Sequence, residues 1–415
     1  MPIEEGSVLA DLRVIELSSP ATMLAGQLLG DLGADVLLIE PPSGAAGRRM
    51  EPFAGNIPGI ERSLVWQALN RNKRGMTLDP HTDDGRAILD TLLAEADVLL
   101  EAVSPGGAPL GGEPASTARL IHCVIWPFAE SGAKSGYAVS DLVLAAASGV
   151  LSNTGDHDRP PFPFPVPQSI MEASGEAVSA VLAALIGRDR DGSGQRVEVS
   201  TRIAAGMAAF GQPLVIPSGN PGGPRAGGAR TAIGVPIPSI YPCVDGFVLV
   251  TIAFGSAFGP MTARLVAWLV DEGVLPPSFV EVDWIGLPMR IVEGTEQPAT
   301  LAALVDGIRS FCATRTKDEL GQGGRSRALL VAPVMDMGDV YTSPQYRERG
   351  LWASTHLPAI GVEVDLPARV AQFSDFEIGV RCPAPRLSQD TVVVLTEAAG
   401  LSLDEVQALF VHGVI

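Results

Sequence analysis

The sequence predicts an α/β protein built on a parallel sheet, and three observations lead to this prediction. Short apolar segments rich in valine and isoleucine alternate with helical segments along the first 200 residues. Two of these segments, residues 34–40 and 96–101, are almost continuously apolar, which is typical of parallel strands that are buried on both faces. The connections between strands and helices are short, which favours β-α-β units.

The first such unit comprises a strand at residues 13–17, a helix at 21–32 and a strand at 34–40. Ser19 is the expected N-cap of this helix, because Pro20 suits the first helical position. Gly33 suits the position just after the helix. The remaining elements of this region are strands at residues 74–79, 96–101, 120–126 and 195–200, and helices at 83–95, 141–151 and 173–188.

The composition changes at residues 213–234, where glycine, proline and arginine dominate, and this stretch is the predicted linker. Beyond it, Asp245 and Gly246 separate two strand-like segments and predict a hairpin. A helix is expected at residues 301–314 and a strand at 328–334. The last helix, 403–410, is expected to carry a capping box formed by Ser402 and Glu405.

Composition and charge narrow the classes of function. The chain has 415 residues, of which 46% are hydrophobic, so it can build two or three domains and is not a disordered protein. It has 29 basic and 47 acidic residues and a net charge of −18. A surface this acidic repels phosphate backbones, so we expect no nucleic-acid partner.

The cysteines and histidines predict neither a disulfide framework nor a metal site. Four cysteines lie far apart without a C-x-x-C pair, and five histidines are scattered. The first residues lack the apolar core of a signal peptide, and we expect no membrane-spanning segment. The expectation is therefore a soluble cytoplasmic protein without a bound metal.

Glu40, at the end of the second strand, occupies the place of the acidic residue in dinucleotide-binding sheets. The loop after the first strand has no G-x-G-x-x-G, however, which argues against binding of NAD or FAD. The alternative is that Glu40 is simply a solvated strand end. No G-x-S-x-G motif or serine–histidine–aspartate arrangement is present either.

The densest basic cluster, Asn70 to Arg74, is a candidate phosphate-binding segment, and the arginines at 48 and 49 form a weaker one. The alternative is a solvated loop before a strand. Lysine is scarce, with Lys73, Lys134 and Lys317 alone in the chain.

Taken together, ordered segments along nearly the whole chain resemble the family III CoA-transferases. This family includes formyl-CoA transferase, the carnitine and bile-acid CoA-transferases and α-methylacyl-CoA racemase. The segments that carry the resemblance are residues 12–17, 27–36, 40–44, 69–74, 78–79, 96–101, 141–143, 148–149, 183–185, 192–200, 241, 245–246 and 384–387.

The resemblance implies a fold and a mechanism. The expected fold is a Rossmann-like large α/β domain plus a smaller α+β domain, with two chains interlocked like linked rings. The implied bounds are 1–212 for the large domain, 213–234 for the linker, 235–355 for the small domain and 356–415 for a C-terminal segment that returns to the large domain. An aspartate of the family attacks acyl-CoA and forms a mixed anhydride and then an enzyme–CoA thioester.

This chain departs from the family at the nucleophile. Counting back from residues 183–185, and forward from Gly155, places the family's aspartate at Ile170, which cannot form an anhydride. The nearest carboxylate is Glu172, two residues further on, where a helix turns a side chain by about 200°. The catalytic residue is therefore left open, with Glu172 as a candidate only if the loop is rebuilt, and as an ordinary helix carboxylate otherwise.

The family's CoA contacts are also reduced here. Ala102 replaces an asparagine of the family's Asn-x-x-Pro-Gly stretch, and basic residues expected after Pro105–Gly106 and after Glu40 are missing. The remaining candidates for CoA binding are Asn70, Arg71, Lys73, Arg74 and Arg48. CoA or acyl-CoA is then a substrate, and no cofactor is expected to be permanently bound.

The sequence thus predicts the subunit that lacks the nucleophile in a heteromeric CoA-transferase acting on an organic acid, as in benzylsuccinate CoA-transferase. A homologous catalytic subunit would supply the aspartate; otherwise the chain forms a homodimer. Three alternatives stay open. They are a self-sufficient transferase that uses Glu172, an acyl-CoA racemase or isomerase that uses His157 with Asp156 or Asp158, and a structural or regulatory CoA-binding protein.

Overall fold

A computed structural model describes residues 7–111, 119–156, 158–209, 214, 216–219, 225, 227–369 and 371–415. The chain forms two compact units. Unit 1 comprises Met1–Asn153, Pro163–Pro221 and Pro344–Ile415, and unit 2 comprises Thr154–Phe162 and Gly222–Ser343. Much of the predicted linker, 213–234, lies outside the described residues, and the domain bounds given above stay predictions.

Unit 1 contains a six-stranded parallel sheet, as the sequence predicts. Its strands are β1 (Arg13–Leu17), β2 (Asp35–Glu40), β3 (Lys73–Thr77), β4 (Val98–Ala102), β5 (Ile121–Trp126) and β6 (Gln195–Ser200). Their spatial order is β3-β2-β1-β4-β5-β6, and every adjacent pair is parallel. This is the strand order of a doubly wound Rossmann-type sheet.

Helices cover both faces of the sheet. They are α1 (Met23–Asp31), α2 (Leu64–Leu69), α3 (Asp83–Ala94), α4 (Asp141–Ser148), α5 (Gln168–Asp191) and α6 (Thr201–Met207). Val14, Val36 and Val98 pack with α1 and α5 on one face, whereas Ile15 and Leu37 pack with α3 on the other. The near-continuous apolar strands are therefore explained by burial on both sides.

Two helices begin at other residues than the sequence predicts. The N-cap position of α1 is occupied by Thr22 rather than Ser19, and the Thr22 side chain makes no capping hydrogen bond. Its hydroxyl instead donates to the buried carboxylate of Glu16 at 3.0 Å. Helix α5 begins at Gln168, five residues before the predicted start. The Ser169 backbone N–H donates to Asp141 Oδ1 at 3.0 Å, which satisfies a free amide in the first turn.

Helix α5 has 24 residues and is long and apolar enough to cross a membrane by length and composition alone. Ala173, Ala177 and Val181 of this helix are fully buried against the sheet. Its apolar character therefore serves the core of unit 1.

Unit 2 is an α+β unit with an antiparallel sheet. Its elements are β7 (Ala229–Ala232), β8 (Val235–Pro238), β9 (Ile240–Cys243), β10 (Gly246–Val250), α7 (Gly255–Asp271), α8 (Leu287–Val292), α9 (Pro298–Cys312), α10 (Lys317–Ser326), β11 (Val331–Val334) and α11 (Met337–Thr342). Strands β9 and β10 form the predicted hairpin at Asp245–Gly246. Trp268 and Trp284 lie in the core of this unit.

The chain then returns to unit 1. This last part contains α12 (Pro344–Glu348), β12 (Trp352–Leu357), β13 (Val362–Pro367), α13 (Thr391–Glu397) and α14 (Leu403–Val411). The hairpin of β12 and β13 had no sequence prediction, whereas the Ser402–Glu405 capping box of α14 is confirmed. The edge strand β3 is covered here, because the Gly75 N–H donates to Asp390 Oδ2 at 2.8 Å and the Thr77 N–H to Thr391 Oγ1 at 3.0 Å.

Candidate active site

The order of the strands creates a crevice at one end of the sheet. Strand β1 leads through α1 to β2 on one side, and its neighbour on the other side is β4. Ligands of open α/β sheets bind at such a switch point, beyond the carboxyl ends of the strands. The loops after β1 and β4 therefore mark the place to look for a site.

A cavity of about 320 Å³ lies at this place. Its wall is formed by residues that follow β1, β4, β5 and β6 and by the first turns of α4 and α5. The lining residues are Ser19, Pro20, Ala21, Ala102, Val103, Ser104, Pro105, Ile125, Pro127, Val139, Ser140, Asp141, Leu144, Ile170 and Thr201.

The wall of this cavity is mainly apolar. Asp141 is the single charged side chain among the described residues that line it, and the other polar groups there are the hydroxyls of Ser19, Ser104, Ser140 and Thr201. The cavity therefore offers hydroxyls and one carboxylate, and its described lining contains no cation to bind an anionic group.

Ile170 occupies the third position of α5, and its side chain lies in the cavity wall. The predicted place of the nucleophile is thus filled by a hydrocarbon side chain. A carboxylate at this position would lie at the N-terminus of a 24-residue helix, where the helix dipole stabilises negative charge.

Glu172 is not among the described residues that line the cavity. Partial burial raises the pKa of its carboxyl above the ordinary value, and the negative charge of Asp141 raises this pKa further. The position of Glu172 outside the described lining of the cavity is what argues against a role as nucleophile.

Lys73 and Asn70, both predicted to bind CoA, are buried and bound to protein groups. Lys73 Nζ lies 2.7 Å from Glu16 Oε2, and it donates to Asn70 Oδ1 at 2.8 Å and to the Met23 carbonyl at 2.9 Å. Burial raises the pKa of Glu16 and lowers that of Lys73. This geometry favours a structural role for both predicted ligands.

The predicted ligands Arg71 and Arg74 also have carboxylate partners. Arg71 binds Asp31 with an N–O distance of 2.7 Å, and both side chains are buried. Arg74 binds both oxygens of Asp35, at 2.9 and 2.6 Å, and stays partly exposed. Each guanidinium therefore already has a carboxylate partner within unit 1.

Arg48, a further candidate ligand from the sequence, is fully buried. Its guanidinium binds both oxygens of Glu40, at 2.6 and 2.7 Å, binds Glu61 at 2.8 Å and stacks on Trp66. Glu40 is therefore not a solvated strand end, because its carboxylate is neutralised inside unit 1. A role of these five residues in CoA binding stays a prediction. Their existing ion pairs and hydrogen bonds with other protein groups do not favour it.

The acid–base pair of the racemase alternative is only partly described. His157 lies outside the described residues, and the Asp156 carboxylate binds Arg159 within unit 2. In the described part of the chain, no group of three or more histidine, cysteine or acidic side chains is placed to hold a metal ion.

The sequence interpretation missed Asp141, Thr201 and the serine hydroxyls as parts of one site. The sequence could have located them, because residues that directly follow successive parallel strands meet at one edge of the sheet. Ser19 follows β1 and Ser104 lies just beyond β4.

Comparison with known proteins shows the family. A family model for CoA-transferase family III matches residues 9–391. The subunit BbsE of succinyl-CoA:(R)-benzylsuccinate CoA-transferase from Thauera aromatica is 29% identical over 405 residues, which cover 94% of each chain. The succinate–glutarate CoA-transferase of Agrobacterium fabrum is 27% identical over 413 residues, covering 94% of this chain and 95% of that one.

Solved structures support the fold. The crystal structure of a CAIB/BAIF family protein from Brucella suis superposes with a TM-score of 0.78 at 24% identity. The match covers 95% of this chain and 100% of the Brucella chain.

Proposed function

This chain belongs to CoA-transferase family III, whose enzymes move CoA between acids, and on that premise we propose that it is the subunit without the nucleophile in a heteromeric transferase. The observation that supports this proposal is Ile170 in the wall of the cavity at the switch point of the sheet.

The chemistry of the family explains why this residue is decisive. A carboxylate oxygen attacks the thioester carbonyl of acyl-CoA, CoA leaves as the thiolate, and a mixed anhydride remains on the enzyme. The thiolate then attacks the enzyme side of the anhydride, which releases the first acid. An isoleucine has no electron pair to start this sequence, and on this proposal the aspartate comes from another chain.

A homologous second chain is the proposed source of that aspartate. The relative from Thauera is itself named a subunit. Helices α4 and α6 also expose Leu142, Val143, Ile203 and Met207, each at least 41% accessible, which a partner in an interlocked pair would cover. CoA thioesters and an organic acid are the proposed substrates.

A self-sufficient transferase that uses Glu172 is the second candidate. Glu172 is the nearest carboxylate after Ile170 in the sequence, but it is not among the described residues that line the cavity. The racemase alternative depends on His157, for which the described residues give no geometry.

The test is covalent trapping on the purified full-length chain, alone and after mixing with a homologous chain that carries the aspartate. Each sample is incubated with succinyl-CoA, quenched with hydroxylamine or borohydride, digested and examined by mass spectrometry. We expect no modified carboxylate on this chain and a modified aspartate on the partner. Modification of Glu172 would overturn the proposal.

A labelled substrate tests the racemase alternative in parallel. Loss of deuterium from the α-carbon of a 2-methylacyl-CoA, without transfer of CoA, would replace the transferase proposal by an isomerase function. Transfer of CoA by the mixed chains with retention of the label supports the transferase.

A further inference from the structure

We propose that the cavity beside Ile170 binds the hydrocarbon part of a monocarboxylic acyl group, and that it disfavours an acyl group with a second carboxylate. This inference rests on the proposed function, which makes the chain part of an enzyme that handles acyl-CoA, and on the position of Ile170, where the resemblance places the family's nucleophile. The evidence for it is the chemistry of the residues that line the cavity.

Most of the cavity wall is hydrocarbon. Val103, Ile125 and Leu144 are 7%, 2% and 3% exposed and pack around the cavity together with Ala21 and Ile170. Apolar groups gain free energy by leaving water for such a wall. A polar group gains nothing there without a partner.

The size of the cavity fits an aryl or branched alkyl group. An engineered apolar cavity of about 150 Å³ is known to bind benzene. The cavity of this chain has about 320 Å³. It therefore has room for a phenyl ring together with the methylene group that joins the ring to the thioester.

The charge of the lining argues against a second carboxylate. Asp141 is the only charged side chain of the described lining, and its Oδ1 is held by the Ser169 N–H. A dicarboxylic acyl group would bring a second anion close to Asp141 in a site of low polarity, where like charges repel strongly. The hydroxyls of Ser19 and Thr201 can donate hydrogen bonds but cannot neutralise it.

The lysines of the chain do not change this balance. Lys73 and Lys317 are paired with Glu16 and Asp339, respectively. Lys134 Nζ lies 5.9 Å and 6.0 Å from the ring centres of Phe128 and Tyr137. None of the three is a lining residue of the cavity.

Equilibrium binding to the full-length chain tests the proposal, with phenylacetyl-CoA and succinyl-CoA as probes in isothermal titration. We expect phenylacetyl-CoA to bind at least about tenfold more tightly. Asp141→Asn keeps an oxygen to accept from Ser169 but removes the charge, so it should strengthen succinyl-CoA binding about tenfold and change phenylacetyl-CoA binding less than about threefold.

Two further variants complete the design. Ile170→Trp fills the cavity and should weaken phenylacetyl-CoA binding by at least about tenfold. Asp90→Asn, on the exposed face of α3, removes the same charge away from the cavity and should leave both affinities unchanged. Thermal unfolding of each variant establishes that it is folded.

Equal affinity of the wild-type chain for the two probes, or no binding of either, would overturn the proposal. So would an Asp141→Asn variant whose preference is unchanged. These outcomes can be distinguished from a failure of the proposed function. An adduct on Glu172 in the trapping experiment would show that this chain has a nucleophile of its own, but it would not alter the ratio of the two affinities.

Discussion

The Lys73 ammonium lies 2.7 Å from Glu16 Oε2, and neither side chain is exposed to solvent. This pair joins β1 to β3 across β2 and is completed by hydrogen bonds from Thr22 to Glu16 and from Lys73 to Asn70. A residue expected to meet a phosphate is thus part of the interior of the sheet.

Replacement of this lysine should destabilise unit 1. Lys73→Met leaves the Glu16 carboxylate buried without its cation, and we expect a loss of about 3–5 kcal/mol in the free energy of unfolding. The double variant Glu16→Gln, Lys73→Met should recover part of it. Urea unfolding measures both, and a folded, fully stable Lys73→Met chain with weakened CoA binding would instead make Lys73 the ligand that the sequence suggested.

Gly26 of α1 lies directly over the same pair. A Cβ at this position would be 2.7 Å from the carboxyl carbon of Glu16 and 2.9 Å from Lys73 Nζ, so Gly26→Ala should cost about 2–3 kcal/mol of unfolding free energy. Gly175→Ala in α5 is the control. Apart from the backbone of α5 itself, no described atom lies within 4 Å of its added Cβ, and alanine favours the helix, so the stability of this variant should stay equal or rise.

Ile170→Asp should restore the capacity for a covalent intermediate. The new carboxylate would lie in the cavity wall and in the first turn of α5, where the helix dipole stabilises its ionised form. After incubation with phenylacetyl-CoA and hydroxylamine, we expect a hydroxamate on the peptide that contains position 170. Leu144→Asp, on the same wall but from α4, should give none; an adduct in both variants would show that position within the cavity does not matter.

The Glu172 carboxyl should make stability depend on pH. Its pKa in the folded chain is raised above the ordinary 4.5, mainly by burial and also by Asp141. The folded state therefore binds its proton more tightly than the unfolded state does. Its contribution to stability is present below about pH 4.5 and is lost as pH rises through the folded pKa.

Glu172→Gln should accordingly raise the melting temperature at pH 7.5 and lose this advantage near pH 4. Scanning calorimetry at the two values measures the difference. Glu176→Gln, one turn further along α5 and exposed, should show a smaller change. An equal gain at both pH values would contradict the stated cause.

The sequence predicted the elements of the sheet well, for a physical reason. A strand buried on both faces must be apolar at almost every position, and residues such as Val98 to Leu100 show this directly. The start of α5 was missed because the Asp141 carboxylate that caps its first turn comes from another helix.

The site was less predictable than the fold. The sequence singled out Ile170 through its resemblance to a family, but not the cavity around it, whose wall combines residues from four loops. The ion pairs of the basic cluster were not foreseen, because the partners Glu16 and Asp31 lie in segments remote in sequence. The order of the strands in the sheet decides which charged side chains become neighbours, and composition alone does not reveal that order.

The late return of the chain to unit 1 has a consequence for synthesis on the ribosome. Met76 and Leu78 emerge early, but Val394 and Leu395, which pack in the same cluster, follow on the order of 300 residues later. At about 5–20 residues per second, this flank of the sheet waits roughly 15–60 s for its cover. Meanwhile the whole of Gly222–Ser343 has left the ribosome. During this time the nascent chain exposes apolar residues at this edge of the sheet. Because the covering residues are synthesised last, the part of unit 1 that is made first completes its folding slowly.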